Sequence, residues 1–388
     1  MERDVIVVGA GPAGATTATI LAQSGIDVLM IDRHTFPRDK ICGDAVPIPT
    51  FNVLTKYGIL PKVEAAIERG EFYPVDGMRL ISPSGHEVKA NFIYEAKDKG
   101  LKSCICPRIY FDNVIYEHAV DSGAQFLQGA VKGPIVENGK VVGVRGKFGG
   151  EEKEIRAKVV IGADGVSSAI ARAIRPPQDK HEKHHKAVAL RAYIDNFETY
   201  PKDIEFFLHE EILPGYGWIF PISETSANIG LGLRVDKYDE TNEKLEDMLE
   251  RFLQLPEIKD RTKNSTVRDV ATWPLNFGSQ RIQRAFDGAM LVGDAGGYIN
   301  PLTGGGIGNA IITGEIAAHT AEAALLAKDT SRAFLHQYEQ KSDDLLWHEM
   351  LNAWRFQRAL GKYPKIINVL VRMLNWSPKM ANEFFAKL

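Results

Sequence analysis

The sequence has 388 residues, of which 44% are hydrophobic and 25% are charged, and its net charge is −3. This length exceeds what one hydrophobic core normally organises, so we expect two domains or one domain with a large insertion. The slightly acidic balance excludes the strongly basic character typical of nucleic-acid-binding domains. Three cysteines are too few for a disulfide scaffold and indicate a reducing, cytoplasmic location.

The first predicted elements form a βαβ unit. An apolar run at 4–9 predicts a buried strand, small residues at 12–24 predict a closely packed helix, and 27–32 predict a second buried strand. From this unit we expect the rest of the sheet to be parallel. The segment before the first strand is too short and too charged for a signal peptide. We also find no apolar run of about 18 residues that would span a bilayer.

Later elements follow from the same patterns. After a loop at 35–49 we predict, in chain order, strands within 73–99, a helix at 108–122, hairpin strands at 126–136, 141–147 and 153–156, and a buried strand at 157–163. Further along we predict strand-like segments within 187–233, a helix at 242–255, a strand at 289–292, a helix at about 305–325 and mostly helix at 331–388.

Metal binding is not expected. Cys104 and Cys106 lack the second pair that a zinc site needs. His181, His184 and His185 lie among lysines in the segment 176–186, which we interpret as a solvated surface loop.

Three glycine-rich motifs each follow a predicted strand. The first is the Gly-x-Gly-x-x-Gly turn, whose glycines let the backbone approach a pyrophosphate at a helix N-terminus, and Asp32 after the next strand suits a ribose hydroxyl. The other two place an aspartate at a glycine turn, which in isolation equally fits a helix N-cap. The motif residues are Gly9, Gly11, Pro12, Ala13 and Gly14; Asp164 and Gly165; and Gly293, Asp294, Pro301, Gly304, Gly305, Gly306 and Ile307.

In this order and spacing the motifs resemble the FAD-binding set of the para-hydroxybenzoate hydroxylase superfamily. The resemblance implies that the first motif holds the ADP part and the second lies near the pyrophosphate. It implies that the third contacts the ribityl chain and the loop after it approaches the flavin ring. Arg108 matches a family arginine that contacts FAD. The FAD-contacting set is completed by Arg33, Cys42, Gly43, Asp44 and Val131.

The implied fold is an α/β protein of the glutathione-reductase type with an inserted antiparallel sheet. We expect a discontinuous, Rossmann-like FAD-binding domain at 1–72, 101–180 and 270–328. The substrate domain would comprise 73–100 and 181–269, and a helical region would follow at 329–388.

Two further segments are similar to signatures of one branch, the geranylgeranyl reductase family. Residues 37–47 match its Pro-x-x-Lys-x-Cys-Gly segment, and 214–221 match its Tyr-x-Trp-x-Phe-Pro signature. The resemblance implies reduction of C=C bonds in geranylgeranyl groups of diphosphates, chlorophyll precursors, ether lipids or quinones. Gly305 departs from the glutamate that many members have in this loop.

The residues themselves support two site predictions. Cys42 could serve as a proton donor or redox group near the flavin, or it could be a small buried apolar residue. Tyr216, Trp218 and Phe220 alternate along a strand and would share one face, which suits a long isoprenoid or an ordinary core.

Electrons would come from NAD(P)H or from a ferredoxin, because no second dinucleotide motif is present. The rival functions are an FAD-dependent aromatic monooxygenase, a quinone-linked electron-transfer flavoprotein and, more weakly, a flavin-dependent halogenase. Apolar residues of the last helices, from Ile366 to Leu374, either pack on the domain or form a lid that faces a membrane, so peripheral membrane association stays open.

Overall fold

The computed structural model describes residues 2–92 and 102–385. Its strands are β1 Glu2–Val8, β2 Val28–Asp32, β3 Ala45–Val46, β4 Tyr73–Val75, β5 Gly77–Ile81, β6 Glu87–Asn91, β7 Ser103–Ile105, β8 Gln125–Glu137, β9 Lys140–Phe148, β10 Glu151–Gly162, β11 Lys186–Asp195, β12 Asp203–Phe207, β13 Tyr216–Pro221, β14 Ser226–Arg234, β15 Thr266–Asn276, β16 Ala285–Phe286 and β17 Ala289–Leu291.

The helices lie between and after these strands. They are α1 Pro12–Gln23, α2 Ile48–Thr55, α3 Leu60–Glu68, α4 Arg108–Asp121, α5 Ala169–Ile174, α6 Val235–Thr241, α7 Leu245–Leu253, α8 Gly293–Gly296, α9 Ile307–Ala327, α10 Arg332–Lys362, α11 Pro364–Asn375 and α12 Pro378–Phe385.

The first sheet is parallel only in its centre. Strands β8, β2, β1, β10 and β17 pair in parallel, and their carboxyl ends meet at one edge. Strand β9 pairs antiparallel with both β8 and β10, and β16 pairs antiparallel with β17. The expectation that the whole sheet would be parallel is therefore wrong. Strands β8 and β10 continue beyond the parallel core, and a short hairpin turn joins each neighbouring pair around β9.

Helix α1 connects the sheet to the helical layer. Its small residues, from Ala13 to Ala18, are buried and permit close packing against α9 and α4. The hydroxyl of Thr17 donates to the backbone carbonyl of Gly314 at 3.0 Å, which ties α1 to α9 across the contact. Pro12 stands in the first turn, where its missing N–H costs no helical hydrogen bond.

Helix α9 satisfies the length and hydropathy criteria for a membrane-spanning helix. It has 21 residues, and 56% of its apolar window is buried within the protein. Its packing against α1, α2 and α10 accounts for this apolar character, because a helix that is covered on several sides needs few polar positions.

The second sheet has the order β15-β11-β14-β13-β12-β5-β6. Helix α7 covers one of its faces with Leu245, Met248, Leu249 and Phe252, while the aromatic residues of β13 lie on the other face. The domain change predicted at residue 270 falls inside β15, which continues to Asn276. The predicted end of the 73–99 strand region and the domain boundary at 100/101 lie outside the described residues.

The chain ends in the helices that the sequence predicts. Helix α10 runs along the first sheet and α9, and α11 and α12 pack on β6 of the second sheet. Ile367 and Val371 of α11 are buried with Val88 and Ala90 of β6 in one apolar cluster.

Helices α1 and α9 cross closely at Gly314, so any side chain at this position should force the two helices apart. A Cβ at this position would lie 2.6 Å from the backbone oxygen of Ala13. We predict that Gly314→Ala lowers the free energy of unfolding by about 1–3 kcal/mol, because the backbone of α1 near Ala13 must shift to make room for the new methyl group. Urea denaturation measures the change. Gly133→Ala, where a Cβ meets nothing within 4 Å, is the matched control; equal losses in both variants would contradict the role of this crossing.

Candidate cofactor and substrate site

The glycine turn after β1 leaves no room for side chains. Gly9 has a φ of +100°, and a Cβ on Gly14 would lie 1.8 Å from the carbonyl oxygen of Gly9. Gly11 precedes α1 and no side chain caps the helix. The first N–H groups of α1 are therefore available for an anion, which is the arrangement that binds a pyrophosphate.

Asp32 stands at the end of β2 beside this turn. Its two carboxylate oxygens accept hydrogen bonds from the backbone N–H groups of Ala10 and His34, both at 2.9 Å. These bonds fix the carboxylate at the cavity wall, next to Arg33 and Val131. The position and the negative charge of Asp32 suit a carboxylate that accepts hydrogen bonds from the ribose hydroxyls of an ADP group.

The other two glycine motifs meet the first at the same sheet edge. Asp164 accepts from the N–H of Ala169, the first residue of α5, at 2.7 Å, although Ser168 is the N-cap of this helix. The second carboxylate oxygen of Asp164 has no hydrogen-bond partner among the described residues. Burial raises the pKa of Asp164, and its hydrogen bonds oppose this rise. Gly306 precedes α9, whose N-terminus also lacks a side-chain cap. Two helix N-termini thus point to one space.

That space is a cavity of about 950 Å³ between the two sheets. Its wall contains every residue predicted for the site except Gly14, which lies behind the glycine turn. The predicted residues along the wall are Gly9, Gly11, Pro12, Ala13, Asp32, Arg33, Cys42, Gly43, Asp44, Arg108, Val131, Asp164, Gly165, Tyr216, Trp218, Phe220, Gly293, Asp294, Pro301, Gly304, Gly305, Gly306 and Ile307.

A buried ion cluster supports the wall near the glycine turn. Arg108 makes a bidentate pair with Asp112, at 2.5 and 2.7 Å, and Arg38 approaches the same carboxylate at 2.6 Å. Burial alone would raise the pKa of Asp112, but Arg108 holds it below its usual value. Burial also opposes the charge of Arg108, whereas Asp112 and, less strongly, the nearby Cys42 sulfur raise its pKa.

Cys42 lies in the loop before β3 and is partly buried. Its sulfur accepts the backbone N–H of Asp44 at 3.4 Å, and its carbonyl accepts from the amide of Asn228 at 2.7 Å. Arg108 is close enough to the same sulfur for the two groups to interact electrostatically, so a positive charge and an N–H donor both lie near the thiol.

Asp44 joins the Cys42 loop to the second sheet. Its carboxylate accepts from the hydroxyl of Tyr193 at 2.7 Å and from Asn228 at 2.8 Å, and Trp218 donates to Asn228 at 2.8 Å. Asp44 is completely buried and has a φ of +64°. Burial raises its pKa to about 7, despite these hydrogen bonds and nearby Arg191. The sequence analysis identified Asp44 but not its partners, because they come from distant strands.

The aromatic residues of β13 contact one another along the cavity wall. The ring centroids of Tyr216 and Trp218 are 6.1 Å apart, and those of Trp218 and Phe220 are 6.2 Å apart. Phe206 of β12 packs edge-on against both Tyr216 and Phe220. The hydroxyl of Tyr216 donates to the carbonyl of Thr303, which connects this wall to the glycine-rich loop before α9.

Arg191 is a cavity residue that the sequence analysis missed. Its side chain is 2% exposed, and one nitrogen donates to Asp39 at 2.6 Å. Its Nε and Nη1 have no hydrogen-bond partner within the described ranges. An arginine within a strand-like stretch gave no local signal, since only the fold places β11 against the cavity.

The histidine-rich segment is less solvated than the sequence indicated. His181 and His185 are buried, and burial lowers their pKa values to about 3 and about 4. His185 stacks on Trp354 of α10, which the loop interpretation did not anticipate. Glu182, His184 and His185 offer ligand atoms within 4.8 Å of one another.

Comparison with known proteins gives a consistent result. Residues 2–353 match the model of a family described as the FAD binding domain. A digeranylgeranylglycerophospholipid reductase of Methanopyrus kandleri is 32% identical over 360 residues, which are 89% of this chain and 87% of the relative. A protein of the same name from Methanocaldococcus jannaschii is 32% identical over 92% of this chain and 87% of its own length.

Solved structures agree in fold. A geranylgeranyl bacteriochlorophyll reductase-like protein of Thermoplasma acidophilum superposes with a TM-score of 0.85 and 28% identity, covering 97% of this chain and 92% of its own. A flavin-dependent brominase has a TM-score of 0.76 at 23% identity, over 99% of this chain and 98% of its own. At this identity the similarity to the brominase shows a shared fold and nothing about the reaction.

Removing the Asp32 carboxylate should weaken FAD binding. We predict that Asp32→Ala lowers the affinity about tenfold to a hundredfold, the effect of losing a charge-assisted hydrogen bond to ribose. Fluorescence titration of the apoprotein with FAD measures this. Asp27→Ala, at the opposite end of β2, is the control, and unchanged affinity in Asp32→Ala would contradict the assignment. Melting curves show whether the variant is folded.

The raised pKa of Asp44 predicts a pH-dependent stability. The native state keeps this proton up to about pH 7, whereas the unfolded chain releases it near 3.8, so stability falls as the pH rises between these values. Between about pH 5 and about pH 8 the free energy of unfolding should fall by about 2–3 kcal/mol more in the wild type than in Asp44→Asn. Urea denaturation across this range tests it, with Asp27→Asn as control. If the free energy of unfolding changes with pH equally in the wild type and in Asp44→Asn, the prediction is refuted.

Proposed function

The chain belongs to the FAD binding domain family and, within it, to the geranylgeranyl reductases, and on this premise we propose that it saturates C=C bonds in the geranylgeranyl chains of a glycerophospholipid. It is an FAD-dependent oxidoreductase. The observation that carries the proposal is the single cavity, which joins three FAD motifs, a thiol and an aromatic wall. The relatives are glycerophospholipid reductases by name, which favours the lipid over a free diphosphate.

The glycine turn, Asp32 and the two helix N-termini are the residues that would hold FAD. Their geometry fits the cofactor, because the turn excludes side chains and the helix ends present unpaired N–H groups. When bound and reduced, FAD supplies a hydride to one carbon of the alkene. The protein must then supply a proton to the other carbon and keep water away.

Cys42 is the proposed proton donor. Its S–H bond breaks as a C–H bond forms on the alkene carbon, and the charge that remains on sulfur is met by Arg108 and by the N–H of Asp44. Asp44 is a positioning residue in this account. Its bonds to Tyr193 and Asn228 hold the loop against the second sheet, so the thiol faces the cavity.

The aromatic wall would bind the isoprenoid. Tyr216, Trp218 and Phe220 offer a continuous apolar surface, and a prenyl chain binds by buried area rather than by hydrogen bonds. Trp218 is held by Asn228 and Tyr216 by Thr303, so two of the three rings keep a defined orientation.

Arg191 would contact the polar end of the substrate. Its Nε and Nη1 lack partners within the described chain while the side chain is buried at the cavity, and buried N–H donors without acceptors are costly. Phosphate oxygens would provide charged acceptors for these N–H donors. For the electron donor, NAD(P)H that binds transiently and a ferredoxin remain the two alternatives.

Replacing Cys42 tests the proposed reaction. We predict that Cys42→Ala slows alkene reduction about a hundredfold or more, the usual contribution of a general acid, and leaves FAD bound. The assay is an anaerobic single turnover of the reduced holoenzyme with a geranylgeranylated glycerophospholipid, followed by mass analysis. Cys104→Ala, a buried cysteine outside the cavity lining, is the control. A wild-type rate in Cys42→Ala would remove the thiol from the mechanism.

A further inference from the structure

Helix α11 has two apolar faces, and only one of them is covered by the part of the chain that the structure describes. Ile367, Val371 and Leu374 pack against β6 and its neighbours. Ile366, Val369 and Met373 are about half exposed. The spacing of three and four residues places this second set on one side of the helix, which is therefore apolar and open.

Aromatic residues extend the open face at both ends. Tyr363 before α11 is 50% exposed, and Trp376 directly after it is 86% exposed. Met380 in α12 is 43% exposed. Tyrosine and tryptophan are the residues that prefer the boundary between lipid and water. We call the surface formed by Tyr363, Ile366, Val369, Met373, Trp376 and Met380 the C-terminal apolar face.

The charge around this face is mostly positive, and the acid that follows, Glu383, lies 3.9 Å from Lys379. Between residues 350 and 382 the sequence contains no aspartate or glutamate, although the whole chain has a net charge of −3. The same segment contains six exposed basic residues: Arg355, Arg358, Lys362, Lys365, Arg372 and Lys379. An amphipathic helix with basic flanks is attracted to anionic lipid and inserts its apolar side.

We propose that the C-terminal apolar face docks on the surface of a bilayer that contains anionic lipids. A second copy of this chain is a poorer occupant, because two equally basic surfaces would repel each other. A bilayer supplies both the apolar medium for Trp376 and the negative charge for the lysines. Isolated exposed residues elsewhere, such as Leu326, need no such explanation.

The face adjoins the wall of the substrate cavity. Leu302 lines the cavity and packs in one cluster with Leu360 and Leu370, which belong to α10 and α11. Gln357 of α10 lines the same cavity and donates to the carbonyl of Pro301 at 2.5 Å. Docking would therefore place the cavity beside the membrane. Vesicle binding can nevertheless be measured without substrate turnover, so the two proposals can fail separately.

The test is flotation of the FAD-loaded full chain with vesicles of phosphatidylcholine alone or mixed with phosphatidylglycerol. We expect binding to the mixed vesicles, weaker binding to phosphatidylcholine, and loss of binding as salt screens the attraction. Brominated lipids should quench tryptophan fluorescence in the wild type, and Trp376→Phe should remove most of that quenching.

Two sets of variants separate charge from insertion. Lys365→Gln together with Lys379→Gln should weaken binding roughly 25-fold, since each basic residue near an anionic surface contributes about fivefold. Val369→Ser together with Met373→Ser should also reduce binding. The controls are Leu326→Ser and Lys263→Gln, which change exposed residues outside the face. Flavin absorbance and melting curves check that each variant is folded.

Three outcomes would overturn the proposal. One is a wild type that does not float with anionic vesicles. Another is binding that the control variants weaken as much as the face variants do. The third is a dimer, seen by analytical ultracentrifugation without lipid, that Val369→Ser with Met373→Ser dissociates, because the occupant would then be a second copy.

Discussion

The site depends on backbone contacts that only glycine and alanine permit. A Cβ on Gly9 would lie 2.4 Å from the carbonyl oxygen of Ala163, and one on Gly293 would lie 3.2 Å from the Cβ of Ala13. These contacts join the ends of β1, β10 and β17 with the start of α1. Because the three strands are parallel neighbours, their glycine motifs meet at one edge and form one binding surface.

A second constraint couples this surface to the other sheet. Among the residues that the structure describes, the buried carboxylate of Asp44 has no cationic hydrogen-bond partner, and its hydrogen bonds come from neutral groups of β11 and β14. The raised pKa follows from this burial. A neutral carboxylic acid tolerates such surroundings better than a carboxylate does, so the loop that carries Cys42 is stabilised at the lower end of the pH range.

The sequence predicted the features that are encoded locally. The turn from Gly9 to Gly14 is predictable because its own backbone contacts require glycine. The strands before the three motifs are predictable because they are apolar runs of ordinary length. The hairpin strands at 126–136, 141–147 and 153–156 were predicted. Their place in the same sheet as β1 and β2 was not, because the βαβ unit does not specify how β8 and β10 continue. The partners of Asp44 were missed because Tyr193 is 149 residues away and Asn228 is 184 residues away. The burial of His185 likewise depends on Trp354 in a distant helix.

The most direct measurement uses the reduced holoenzyme without oxygen. Dithionite-reduced protein would be mixed with a geranylgeranylated glycerophospholipid while the absorbance of oxidised flavin is followed and the lipid is analysed by mass. Reduction of the prenyl chain predicts that the oxidised absorbance returns as the lipid gains two hydrogen atoms per flavin. A flavin that stays reduced beside the lipid and is oxidised only when oxygen enters would contradict the account.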